Sequence, residues 1–326
     1  MIAARRLARR GGWTVGIWLL PLGLLVYYIT LIPAFGGFQA ASITKNSLPL
    51  VYLAIGQAIV VIGGGIDLSL GALLVLTNSV AAQIMDGRSF VLTLVLGLLV
   101  VLGSGALNAG VGALINLSQV PDIVVTLAMS FVWSGVALVV LPSPGGGTSA
   151  GFRQLFTGSK LGSGTNFWNS LAMMVVPTVG LAYLMRRRRL GLSIYAVGSD
   201  RNAAYLSGVD VARAKVVAYG LGGAMAAMAG LATVAITGSG DPRFSVGANA
   251  TLNSVAAIVL GGVALTGGTG SIVGAVAAAI VLFLLNPILS ANGIDPNTAQ
   301  VMQGGLIVAV MMAAGYLQLR RDRSAR

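Results

Sequence analysis

The stretch FVLTLVLGLLVVLGSGALNAGVGALIN at residues 90–116 contains no charged side chain. An apolar run longer than the roughly 20 residues that a helix needs to cross a bilayer reads as a membrane span. The same ruler, moved outward along the chain, gives ten candidate spans, at 13–33, 47–65, 68–85, 90–116, 121–141, 168–185, 212–237, 251–265, 270–286 and 299–317. Several are short or interrupted by glycine, 251–265 most of all. The expected fold is therefore all-α, a polytopic membrane protein of about ten transmembrane helices, with residues 1–326 as a single transmembrane domain. Composition agrees, because 56% of residues are hydrophobic and only 9% are charged, where a soluble domain carries about 25% charged residues. The mean hydropathy of +0.90 points the same way.

Charge sets the expected orientation. With an even number of spans both termini share a face, and Arg5, Arg6, Arg9 and Arg10 with Arg320, Arg321, Arg323 and Arg326 place that face in the cytoplasm. The loop between the sixth and seventh spans adds Arg186 to Arg189, Arg201, Arg213 and Lys215 on the same side, whereas Lys45, Arg88, Arg153, Lys160 and Arg243 fall outside. This inside bias explains the net charge of +12 without nucleic acid as a partner. The apolar run after Arg10 is too long for a cleavable signal peptide and stays as the first span. The chain has no Cys, no His and no Glu, so eight Asp are its only side-chain acids. Disulfides and thiolate metal sites are excluded, general acid–base chemistry is nearly so, and neither a catalytic residue nor a metal site is expected.

Two hydrophilic stretches stand out. Residues 142–167, rich in Pro, Gly and Ser, read as an irregular external loop. Residues 186–211, RRRRLGLSIYAVGSDRNAAYLSGVDV, carry a basic run and then Ala203, Ala204 and Leu206 ahead of Ser207-Gly208, which reads as a one- or two-turn helix with a glycine stop. On pattern alone that segment is either a membrane-surface linker or a docking element.

Four segments taken in order, GGGIDLSLGA (63–72), VPDIVVTLAMSF (120–131), YAVGSDRNAAYLSGV (195–209) and VAAIVLGGVALTGGTGSIVGA (255–275), resemble the motifs of the ribose-type permeases of bacterial ABC importers. The resemblance covers nearly the whole chain. It implies an inner-membrane permease that pairs with a second permease subunit, identical or paralogous, and has membrane lipid around it. It also implies a cytosolic ABC ATPase, so that ATP is bound by the partner and this chain needs no cofactor. An external or periplasmic solute-binding protein would deliver a monosaccharide or similar small polar solute. The segment 195–209 resembles the family's coupling loop, and Gly198, Asp200, Arg201, Ala203, Ala204, Ser207 and Gly208 are its candidate ATPase contacts. ATPase closure would then push on 195–211 and rock the helices that flank 63–72 and 251–275.

Candidate path residues follow from the same segments. The three glycines of GGGIDLS permit backbone that other residues resist, and irregular backbone at membrane depth must border protein or a water-filled cavity. Asp67 is the one charge there and reads either as a cap for a helix starting at Leu68 or as a solute contact. Gln57, Asn78, Asn108 and Asn253 offer neutral amides that suit a hydroxyl-rich solute and equally suit helix packing. Thr251-Leu252-Asn253 stands where the family commonly has Glu-Leu-Asp, and Ser134-Gly135 where Arg-Gly is common. An acidic residue is also usual near Arg201. These lost charges suggest an altered solute or a specialised half of a heterodimer.

Other classes fit less well. GSGD at 238–241 is similar to the motif of intramembrane aspartyl proteases, but no Tyr-Asp occurs in the chain and Pro242 follows at once. GGVALTGGTGS lacks the Lys of a P-loop. A proton- or ion-coupled secondary transporter would have to rely on Asp67 and Asp122. A permease for a nucleoside or a branched-chain amino acid remains the alternative within the ABC class.

Overall fold

The computed structural model describes residues 2–158, 166–295, 297–305, 308, 309 and 312. Lys160, about half of the expected span 299–317 and the C-terminal arginines lie outside the described residues. The named helices run in chain order α1 (Ile2–Leu31), α2 (Gly37–Ile62), α3 (Leu70–Met85), α4 (Phe90–Ser118), α5 (Asp122–Val140), α6 (Ala150–Thr157), α7 (Trp168–Arg187), α8 (Arg189–Ser199), α9 (Arg201–Leu206), α10 (Val211–Thr237), α11 (Phe244–Leu260) and α12 (Ile272–Ala291), and residues 297–305 are helical as well. No strand occurs among the described residues. Among the described residues six helices are long and apolar enough to cross a membrane: α2, α4, α5, α7, α10 and α12. Gly16–Leu31, Leu70–Met85 and Ser245–Leu260 are shorter apolar helices.

Small residues make the core. α10 packs mainly on α4, α2 and α3, and its glycines let backbone meet backbone: a Cβ on Gly223 would sit 2.6 Å from Ser104 O, and one on Gly230 would sit 2.8 Å from Leu74 O. Such close approach replaces the hydrophobic drive that lipid does not supply. α2 is buried over nearly its whole apolar length, while α4, α5 and α7 turn most of theirs outward. Leu98, Val139 and Val176 on those outer faces are exposed, as lipid contact requires. Proline inside α1, α2, α7 and α12 is tolerated in such a bundle because neighbouring groups satisfy the freed carbonyls.

Contacts define two ends of the bundle. At one end, called here the α9 end, α8 lies against the segments that follow α2 and α11, and α9 follows it beside α10. At the other, Gly145 pairs with Gly240, Gly147 N donates to Ala82 O at 2.9 Å, and Arg153 Nε donates to Ala235 O at 3.1 Å.

The structure moves several expected boundaries. The span expected at 251–265 is α11, which begins seven residues earlier, just after Pro242, and stops at Gly261-Gly262, where Gly262 takes φ +81°. The external loop 142–167 is not wholly irregular. It contains α6, whose first turn is capped by Ser149 Oγ accepting from Phe152 N and whose end is Gly158 at φ +72°. Residues 159–165 of that loop lie outside the described residues.

Candidate functional site

Local sequence chemistry builds the 186–211 segment. Asp200 interrupts what would be one helix, because its Oδ1 accepts from Asn202 N and Ala203 N, both at 2.9 Å, and so starts α9 anew. Ser207 Oγ donates to Ala203 O, and Gly208 at φ +80° ends the helix. Asp210 repeats the device for α10, its Oδ1 accepting from Arg213 N at 2.9 Å. Both local acids are thus engaged in capping, while Arg201 and Arg213 stay exposed. Of the expected contacts, Ala204 turns inward at 5% exposure. The helix instead presents Tyr205 and Leu206, 72% and 84% exposed, beside a hollow of about 500 Å³ that Arg201 and Tyr205 help to line. Sequence reasoning placed Leu206 on this helix but did not single it or Tyr205 out as contacts, because a six-residue helix is too short to show which face is buried.

Gly198 does something different from its neighbours in the candidate list. It lies at the end of α8, and a Cβ there would fall 1.8 Å from Ile62 O and 2.7 Å from Gly268 N. Gly268 N in turn donates to Ile62 O at 2.8 Å. Gly64 (φ +82°), Gly267 (φ +88°) and Gly268 (φ +69°) complete the contact, with positive φ values that side chains resist. Three segments far apart in sequence therefore meet backbone to backbone. Tyr195 Oη donates to Gly270 O at 3.0 Å and Arg186 Nη2 to Ser271 Oγ at 3.0 Å, fastening α7 and α8 to the same loop.

Above this node the broken stretch 63–69 climbs to the start of α3, and its polar groups are met by protein. Gly65 N donates to Val60 O and Leu68 N to Thr126 Oγ1, both at 3.1 Å. Asp67 is fully buried. Its Oδ1 accepts from Ser69 N at 2.8 Å and Ser69 Oγ at 2.6 Å, and its Oδ2 accepts from Asn108 Nδ2 at 2.9 Å. Helix α3 starts at Leu70 rather than Leu68, so Asp67 closes the turn ahead of the helix instead of capping it directly. Asn108 Nδ2 also donates to Tyr219 O at 2.8 Å. Tyr219 Oη donates to Asp122 Oδ2 at 2.8 Å, and Lys215 Nζ pairs with Asp122 Oδ1 at 2.7 Å. The network joins the break to α4, α5 and α10. Of its members, sequence reasoning singled out Asp67, Asn108 and Asp122 but did not see Lys215 and Tyr219 as their partners, since 97 residues separate Tyr219 from Asp122.

The other expected path residues scatter. Asn78 Oδ1 accepts from Asp241 N at 2.8 Å, pinning the turn after α10. Gln57 is buried in α2 with no hydrogen-bond partner for its amide among the described residues. Thr251 Oγ1 accepts from Gly71 N at 3.0 Å inside the α3–α11 contact, and Ser134 is also buried. Asn253 borders a cleft. GSGD proves to be a turn. Gly238 ends α10 in a left-handed conformation, and the Arg243 guanidinium bonded to Asp241 holds that carboxyl below its ordinary range.

Comparison with known proteins decides what this architecture serves. The family described as "Branched-chain amino acid transport system / permease component" matches residues 39–311. The chain belongs to this family. As a permease component it is 32% identical over 267 residues to the ribose import permease protein of Escherichia coli (strain K12), covering 80% of each chain. It is 35% identical over 264 residues to the ribose import permease protein of Bacillus subtilis (strain 168), covering 80% of this chain and 79% of the relative. The fructose import permease protein of Rhizobium meliloti is 30% identical over 280 residues, with coverage of 84% and 77%. No solved structure matches it. A permease component is a membrane protein and not itself an enzyme, which sets aside the protease and P-loop readings. The secondary-transporter reading falls with them, and the engaged positions of Asp67 and Asp122 in a packed network agree with that.

Proposed function

We propose that this permease component is the membrane subunit of an ATP-driven importer for a monosaccharide, with ten spans and both termini cytoplasmic. The observation that carries the proposal is the grip of α8 on both glycine-rich breaks at Gly198, in a chain whose family relatives are named for ribose and fructose import. ATP hydrolysis belongs to a separate cytosolic ATPase, and an external binding protein delivers the sugar. In this reading α9 docks on the ATPase through Tyr205 and Leu206, and α8 transmits its movement into the segments that follow α2 and α11. The packing of α8 suits that task. Its apolar residues Ile194 and Val197 are buried, so it moves together with what it touches.

A second permease copy or a paralogue completes the path. The heterodimer argument from lost charges weakens for Thr251 and Ser134, because both side chains are buried inside this subunit and a partner could not compensate for them there. The branched-chain amino acid wording of the family description receives less support than a sugar, since a zwitterion calls for charged partners and the cleft beside Asn253 has no charged lining residue.

Docking through α9 is tested by Leu206→Asp. That side chain is 84% exposed, so the permease should insert and fold as before, while co-purification of the ATPase falls at least tenfold. Undiminished co-purification would remove α9 from the interface. Orientation is tested on the same Cys-free chain with single cysteines. Arg88→Cys, at the end opposite α9, should react with an impermeant thiol reagent added outside intact cells, and Asn202→Cys on α9 should not. The reverse labelling pattern would invert the topology.

A further inference from the structure

The cleft beside Asn253 lies between α2, α3 and α11 and encloses about 360 Å³, within the size range of small-molecule sites. Three side-chain amides border it, Asn46, Asn249 and Asn253, and the wall between them is apolar, with Leu53 and Leu74 among its residues. We infer that this cleft is the surface on which the solute rests in transit, and that it takes an uncharged polyol. The inference rests on the import function proposed above and gives it a place in the molecule.

Three observations carry it. The first is chemical. An amide offers both donor and acceptor, as does each hydroxyl of a sugar, so three amides can match several hydroxyls whichever way these point. The apolar wall suits the C–H face of a sugar ring, and the absence of charge from the lining disfavours ammonium and carboxylate ligands.

The second is depth. Leu53 stands nine residues before Ile62 on α2, about 14 Å along the helix, and Asn253 stands seven residues before the end of α11, about 10 Å. The cleft is thus at membrane depth and open to the outside of this subunit, Asn249 being exposed, where polar groups turned to lipid would be costly. The faces turned to lipid in this protein carry residues such as Leu98 and Val139 instead. Asn253 Oδ1 is met by Gln303 Nε2 only at a long 3.5 Å, and Asn46 Nδ2 donates to Ser42 Oγ on its own helix at 3.0 Å. Neither amide is locked into a packed network as Asn108 is.

The third is mechanical. The helices that line the cleft are the ones tied to the glycine node. α2 runs into Ile62, α3 emerges from the 63–69 break, and α11 leads into the loop holding Gly267 and Gly268. A displacement of α8 therefore changes the spacing of the cleft walls, as a device that releases its solute on ATPase closure requires. The partly open amide arrangement predicts weak binding, which a permease supplied by a delivery protein needs.

The test uses proteoliposomes holding the full permease with its ATPase and binding protein. In the Cys-free chain, Asn249→Cys and Asn253→Cys should react with a charged methanethiosulfonate reagent at least tenfold faster than Leu98→Cys on the exposed face of α4, and trapping the complex with ATP and vanadate should change those rates. Rates equal to Leu98→Cys would mean a lipid-covered cleft and would overturn the inference. In the second arm, Asn253→Leu and Asn249→Leu should each lower uptake of labelled ribose, fructose and xylose at least tenfold, and Asn253→Gln should recover part of it. Uptake equal to wild type in both Leu variants overturns the inference. Wild type that takes up none of the three sugars defeats the sugar reading instead, and the thiol rates then decide the cleft on their own.

Discussion

Replacing Gly198 by Val abolishes sugar uptake while the ATPase still co-purifies. The added Cβ would lie 1.8 Å from Ile62 O and 2.7 Å from Gly268 N, and both obstacles are main chain, which cannot swing aside as a flexible side chain would. The end of α8 has to withdraw from the two breaks, and the push from the ATPase no longer reaches α2 and α11. Docking survives because Tyr205 and Leu206 face the other way. Uptake should drop by about 100-fold or more, equivalent to about 2.7 kcal/mol of lost coupling. Gly208→Ala is the contrast. It has nothing within 4 Å of its Cβ and meets only the left-handed strain of φ +80°, about 1–2 kcal/mol, so it should retain most of the uptake. Wild-type uptake by Gly198→Val, measured with the variant present at normal levels in the membrane, would show that the node transmits nothing.

The second large effect is on folding. Asp67→Leu removes the acceptor for Ser69 N, Ser69 Oγ and Asn108 Nδ2 at once, in a place with no water contact. Buried donors left unmet cost about 1–3 kcal/mol each. Asn108 keeps Tyr219 O as a partner, so the loss should come to roughly 3 kcal/mol. The checks are the thermal midpoint of the detergent-solubilised permease and the yield of monodisperse protein, both of which should fall clearly. A variant of normal yield and midpoint that transports sugar with a changed KM would instead make Asp67 a solute contact, the other role its sequence allowed.

The legible part of the fold was what hydropathy encodes. The 90–116 run became α4, and 212–237 became α10, with little change of boundary. Hydropathy fails where a helix starts in polar or small residues. FSVGANA at 244–250 belongs to α11 because Pro242 and the α3 contact at Gly71 start the helix there, not because it is apolar. The glycines of GGGIDLS announced a break, but its depth and its partners did not follow, since Gly198, Gly267 and Thr126 come from remote parts of the chain. The same limit separated the candidate amides. Nothing in the sequence tells Asn108, locked onto Asp67, from Asn253, at the edge of a cleft. Asn46 and Asn249 carried no motif and drew no notice until α2 and α11 were side by side. Motif resemblance carried the family reading where periodicity could not, because GGIDLS and the LGG segment keep their order across the chain.

The central claim, that this permease component moves a sugar by force received from an ATPase, is tested most directly by uptake in proteoliposomes. They should contain this chain, its cytosolic ATPase and its binding protein, and be assayed with labelled ribose, fructose and xylose. The account predicts uptake of at least one of the three sugars that requires ATP together with both partner proteins and survives collapse of the proton and sodium gradients. Should this chain prove to be half of a heterodimer, the uptake appears on adding the paralogous permease. Uptake that proceeds without ATP and is driven by an imposed proton or sodium gradient would contradict the account.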